Sequence, residues 1–187
     1  MLVTSYVLWA FSLPVAFSIL TILMLRMALH KLPHANMAAS SWLALGPIGT
    51  GALGMLLLGG DAPAIFAANG LPAVGEIANG LGLIAGITLW GFGLWWMLIA
   101  VLITLRYLRA GIPFNLGWWG FTFPLGVYAL ATLKLASVLH LGFFSVFGGV
   151  LVLALSLMWL IVAKRTVQGA YKGELFVSPC IAGLGNK

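Results

Sequence analysis

Acidic residues are nearly absent from this chain. Asp61, Glu76 and Glu174 stand alone among 187 residues, against nine lysines and arginines. None of the three falls inside an expected membrane span, so a proton relay through a membrane interior, which usually needs a carboxylate there, has no candidate. Cysteine is reduced to Cys180, which excludes an intrachain disulfide and a cysteine-built metal cage. Also missing are the G-x-x-x-x-G-K phosphate loop, H-E-x-x-H, C-x-x-C and G-x-S-x-G, the sequence marks of nucleotide, metalloprotease, thiol-redox and serine-hydrolase chemistry. No enzymatic activity, metal or other cofactor is expected. The formal charge of +6 is scattered over short connectors rather than gathered into a basic stripe, which argues against a nucleic-acid partner.

What the chain has in abundance is apolar length. It is 63% hydrophobic and 6% charged, with a mean hydropathy of +1.14. That balance leaves too little polar surface to cover a soluble core, so the partner of most of this surface is a lipid bilayer. A span needs about 20 apolar residues, and the breaks define five, at about 7–25, 39–59, 83–105, 116–138 and 144–163. The fold class is all-α, a polytopic bundle forming a single transmembrane domain over 1–187 with a tail from 164. The first run is uncharged, is not preceded by a cation and is too long for the apolar part of a signal peptide. Between the second and third spans, Asp61 to about Leu81 holds Pro63, Pro72, Glu76 and several glycines. This stretch reads as a long loop with short amphipathic pieces.

The cations assign sides. Arg26 and Lys31, Arg106 and Arg109, and Lys164, Arg165 and Lys172 fall on alternate connectors, all at one face of a five-span arrangement. The acid-bearing segment falls at the other. The positive-inside rule then places the C-terminus in the cytoplasm and the N-terminus outside, in a plasma (inner) membrane.

Two stretches carry the candidate site. Asn115–Ala131 is apolar yet contains Pro124, which lacks an N–H and clashes with the carbonyl four residues back, so a mid-membrane kink is expected there. Phe123 precedes it, a ring that is either packing or a plug. In the second span Gly46, Thr50 and Gly54 recur every fourth residue, with Gly49 and Pro47 nearby. Such a small-residue face serves close helix packing or leaves open space, and Pro47 adds a second expected kink. His30 and His34 have i,i+4 spacing, but Pro33 lies between them. With His140 they keep open a membrane haem protein as the bland reading, against solvated interfacial histidines. Lys134, about 16 Å beyond the kink along a helix, either snorkels to the interface or attracts anions to a pore mouth.

The run W-W-G-F-T-F-P-L-G-V-Y-A-L-A-T-L-K, Trp118–Lys134, resembles the signature helix of the tellurite-resistance/dicarboxylate transporter family. That family takes in plant slow-type anion channels, malate transporters and fungal sulfite efflux pumps. The connector and second span, H-K-L-P-H followed by W-L-A-L-G-P-I-G-T-G-A-L-G, are similar to the sulfite-efflux branch. The resemblance implies a ten-helix ring of five hairpins in which odd-numbered helices line a central pore. The five spans here match helices six to ten, so the second and fourth would be inner. The family's gating phenylalanine falls on Phe123, with Gly46, Pro47, Gly49, Thr50, Gly54, Thr122 and Pro124 as pore-lining or kink residues. Hydroxyl dipoles of Thr50 and Thr122 would offset part of an anion's lost hydration, and the absence of an intramembrane carboxylate points to passive movement. The implied partners are a small anion (sulfite, malate or a similar C4-dicarboxylate) and a missing N-terminal half or full-length homologue, with self-association into a homo-oligomer as a further expectation. The reading from a different class is a transport-inactive fragment or accessory membrane subunit.

Overall fold

The computed structural model describes residues 1–30 and 38–173. Lys31, Pro33, His34, Glu174, Cys180 and the rest of the tail lie outside the described residues. The elements are α1 (Leu2–Leu29), α2 (Ser40–Leu43), α3 (Leu45–Ala68), α4 (Pro72–Ala110), a 3-10 helix (Leu116–Phe121), α5 (Thr122–Leu139) and α6 (Gly142–Lys172). No strand occurs among the described residues. Five segments are long and apolar enough to cross a membrane: α1, α2 with α3, α4, the 3-10 helix with α5, and α6. The all-α, five-span expectation therefore holds.

The acid-bearing loop does not. Asp61 lies within α3 and Glu76 within α4, and the connection between them is only residues 69–71. Pro72 opens α4 at its first position, where the missing N–H is one no helix would have used. Gly70 takes φ +76° in the turn, a left-handed backbone that glycine adopts without strain. Along the segment two glycine-bearing faces pair. A Cβ on Gly59 would lie 2.9 Å from the Gly82 Cα, and one on Gly75 would lie 2.8 Å from the Pro63 Cα. Backbones touch there, and dispersion over that contact outweighs the low helix propensity of glycine. At about 1.5 Å per residue the 39 residues of α4 reach about 58 Å, roughly twice a hydrocarbon core of about 30 Å.

The two expected kinks are also relocated. Pro124 is the third residue of α5, directly after the 3-10 helix. Pro47 is the third residue of α3, after a one-residue interruption at Ala44. Both prolines start α-helices, at positions whose N–H has no intrahelical partner, instead of bending the middle of one.

Pairing is closest within the hairpins α3–α4 and α5–α6, and α3 then packs on α5 across the middle. Half of the most apolar stretch of the α2–α3 span is buried within the chain, and 44% of that leading into α5, against 6% for α1 and 17% for α6. The third span, at 39%, lies close behind the second and fourth, so burial within the chain groups the second, third and fourth spans against the first and fifth. On the second and fourth spans Leu45, Ile48, Ala52, Tyr128, Ala131 and Leu135 are essentially inaccessible, and α3 meets α5 where Gly49 faces the backbone of Tyr128. α1 packs chiefly on α3.

Indole N–H groups tie the helices to one another. Trp42 Nε1 donates to Thr104 Oγ1 (2.9 Å), Trp96 Nε1 to the Ser41 carbonyl (2.9 Å) and Trp90 Nε1 to Thr132 Oγ1 (2.8 Å). These ties put residues 41–42, 96–104 and 118–121 at one end, since Phe121 packs edge-on against Trp42. Arg26, Arg106, Arg109, Lys164, Arg165 and Lys172 all belong to that end, while Asp61 and Glu76 flank the opposite turn.

Candidate functional site

The 3-10 helix is what sets the direction of Phe123. Asn115 opens it by accepting the Gly117 N–H at 2.8 Å, an N-cap that satisfies an otherwise orphaned donor. The switch from three to 3.6 residues per turn then happens at Thr122. Its hydroxyl donates back to the Trp119 carbonyl at 2.8 Å. Across this switch two phenylalanines part company: Phe121 is 3% exposed, against Trp42 and Trp118, whereas Phe123 is 64% exposed.

Phe123 lies over Gly46. A Cβ at Gly46 would come within 3.5 Å of the Phe123 Cε1, which is ordinary contact, so the ring rests on the glycine's open face. On one side of the ring is a recess of about 350 Å³, lined by Trp9, Ser12, Leu13 and Ala16 of α1, Gly46, Pro47, Thr50 and Gly51 of α3, and Phe123. On the other is an apolar groove of about 590 Å³ between α5 and α6, reaching Trp119, Leu155 and Trp159. Phe123 is the wall common to both.

The small-residue stripe divides along its length. Gly46 carries Phe123, Thr50 lines the recess, and Gly54 carries the indole of Trp9, whose Cδ1 would lie 2.9 Å from a Cβ there. Gly49 faces the backbone of Tyr128, 3.1 Å from a built Cβ. Of the two readings of this face, Gly49 and Gly54 take the close-packing one within this chain. Both are close-packing positions, because a ring and a helix backbone fill what glycine leaves free. The Thr50 hydroxyl donates to the Gly46 carbonyl, as that of Thr122 does to Trp119. Both hydroxyls thus have an acceptor within their own span, one that a hydroxyl rotor can exchange for another partner.

Trp9 is a wall that sequence reasoning missed. Its Nε1 donates to the Gly51 carbonyl over a long 3.4 Å. The only hint in the sequence is one tryptophan within an otherwise featureless apolar run.

Lys134 is half-buried in α5, three turns from Phe123. His30 ends α1 at the cation-bearing end, while His140 ends α5 in a left-handed conformation (φ 53°) at the opposite one. Among the described residues no three of His, Cys, Asp and Glu gather, and the two described histidines are held at opposite ends of the bundle.

Residues 1–167 match the SLAC1 family, described as voltage-dependent anion channel. The chain is 35% identical over 173 residues to the sulfite efflux pump SSU1 of Arthroderma benhamiae, covering 91% of this chain and 45% of that protein. It is 36% identical over 173 residues to the same-named protein of Arthroderma otae, with the same coverage. An uncharacterized transporter of Methanocaldococcus jannaschii, MJ0762, is 30% identical over 173 residues, covering 92% of this chain and 47% of it. The chain thus spans about half the length of the curated relatives it matches. No solved structure gives a significant match.

Proposed function

This chain belongs to the voltage-dependent anion channel family, and on that premise we propose that it forms part of a membrane pathway for small anions, with Phe123 as its gate. The family consists of channels and transporters, not enzymes. The relatives named as sulfite efflux pumps favour sulfite as the substrate over malate or another C4-dicarboxylate. The single observation that carries the gate is the exposed ring of Phe123 between two recesses, at the start of an inner helix whose neighbouring phenylalanine is buried. Gly46 gives that ring a surface to swing across, and Pro47 and Thr50 form the wall beyond it. A constriction made by an apolar ring blocks ions by bulk and by dewetting. Lys134 and the basic end lend the pathway a positive potential that concentrates anions.

In this reading the C-terminus lies in the cytoplasm of a plasma (inner) membrane. Two inner spans do not close a ring, so transport requires a complementary half, supplied by more chain, a second protein or further copies of this one. The test is efflux of sulfite from vesicles. The chain alone should give no flux above protein-free vesicles, and co-assembly with a complementary half should restore it. Phe123→Ala in that assembly should then conduct faster than wild type, and Phe123→Leu should fall between the two. Equal efflux from folded Phe123→Ala and wild type removes the gate. A chain that remains silent with every complementary half is the accessory subunit of the alternative reading.

A further inference from the structure

The 3-10 helix that aims Phe123 is a weak element by itself. Its hydrogen bonds span three residues in poor geometry, so neighbours decide where it sits. On one side Phe121 anchors it to Trp42 of α2 (ring centroids 5.8 Å apart). On the other, two consecutive residues of α6 hold two consecutive tryptophans. The Arg165 guanidinium lies over the Trp118 ring at 5.2 Å and near that of Phe114 at 5.9 Å. Thr166 Oγ1 accepts the Trp119 Nε1–H at 3.2 Å while donating to the Val162 carbonyl at 2.8 Å.

Arg165 is exposed, and no acid among the described residues is near it, because Asp61 and Glu76 lie at the opposite end. Its charge faces the rings, a cation–π attraction of the modest strength of an exposed site. Trp119 also lines the α5–α6 groove that Phe123 shares. Holding Trp118 and Trp119 therefore fixes the origin from which Phe123 projects, one helical turn further on.

We propose that Arg165 and Thr166 are positioning residues for Phe123, a latch by which the basic end of α6 holds the gate segment in its closed position. This rests on the reading of Phe123 as gate. Loss of the latch lets the 3-10 helix shift and the ring leave the Gly46 surface, so basal anion efflux rises.

Two measurements separate the latch from the gate. In the reconstituted 187-residue chain, 4-fluorophenylalanine placed at 123 should change its fluorine resonance on Arg165→Ala and on Thr166→Val. The same label at Phe144, packed on Trp90 beside the far turn, should not respond. In the assembled transporter, Arg165→Ala should raise sulfite efflux about three- to fivefold, the factor expected for loss of one exposed cation–π contact. Arg165→Lys should retain part of the hold, and Thr166→Val, close in shape, covers the case in which Arg165→Ala does not fold. In a Phe123→Ala background neither change should add anything, because residues acting through one element are not additive. An unmoved resonance at 123 in both variants overturns the latch, as does a multiplicative effect in the double variants. If the resonance moves but Phe123→Ala itself leaves efflux unchanged, the gate reading fails and the latch stands as a positioning contact only.

Discussion

Trp90 and Tyr128 hold each other twice over. Their rings stack at 5.9 Å with planes 10° apart, and the Tyr128 hydroxyl donates to the Trp90 carbonyl at 2.9 Å. One turn further along α5, Thr132 accepts the Trp90 indole N–H and passes its own proton to the Tyr128 carbonyl, both at 2.8 Å. This closed circuit fixes α4 against α5, the inner helix that carries Phe123. Its members are buried and satisfy one another's hydrogen bonds.

The notch that admits Tyr128 is Gly93. A Cβ there would lie 2.5 Å from the Tyr128 Cε2, so Gly93→Ala should push the two helices apart. The expected loss is about 1–3 kcal/mol, the usual cost of overpacking. Tyr128→Phe keeps the stack and removes one hydrogen bond, for about 1 kcal/mol. Thermal unfolding in a mild detergent should rank them with Gly93→Ala the worse, and an unchanged midpoint for Gly93→Ala contradicts the notch.

Phe121 and Phe123 should separate on stability before any transport is measured. Phe121 is 3% exposed and Phe123 64%. Phe121→Ala leaves a cavity and should cost about 3–5 kcal/mol, as in soluble cores. Phe123→Ala removes a ring from open surface, and its melting temperature should stay near that of wild type. If the two variants unfold alike, the faces assigned to them are wrong.

His140 ends α5 with φ 53° and ψ 28°, and no other non-glycine residue among those described has positive φ. An L-residue pays about 1 kcal/mol for that conformation, which glycine adopts freely. His140→Gly should therefore raise the midpoint of unfolding, by about 0.5–1 kcal/mol. A fall would mean that the imidazole has a stabilising contact of its own.

Topology is open to a direct check. A reporter fused after Lys187 should be cytoplasmic, and one inserted at Asn69–Leu71, the turn between α3 and α4, should be external. Reporters on the same side would break the five-span arrangement.

The class of this protein was legible from composition alone, because hydropathy is additive along the chain and a span is counted in residues. Five apolar runs, cations on alternate connectors and few acids gave an all-α membrane bundle with inner second and fourth spans implied by resemblance. The run Trp118–Lys134 even singled out Phe123. What a glycine faces is not local, and there the sequence was silent. In the α3–α4 segment around Asp61 and Glu76 the two helices touch where Gly59 meets Gly82 and Gly75 meets Pro63, partners more than ten residues apart that no window average could bring together. Pro47 and Pro124 looked like kinks because a proline inside an apolar run usually is one. The interruption at Ala44 and the 3-10 helix before Thr122 made them helix starts. Trp9 faced Gly54, and Arg165 covered Trp118, because only packing across the bundle chooses which of several equally apolar faces two helices turn toward each other.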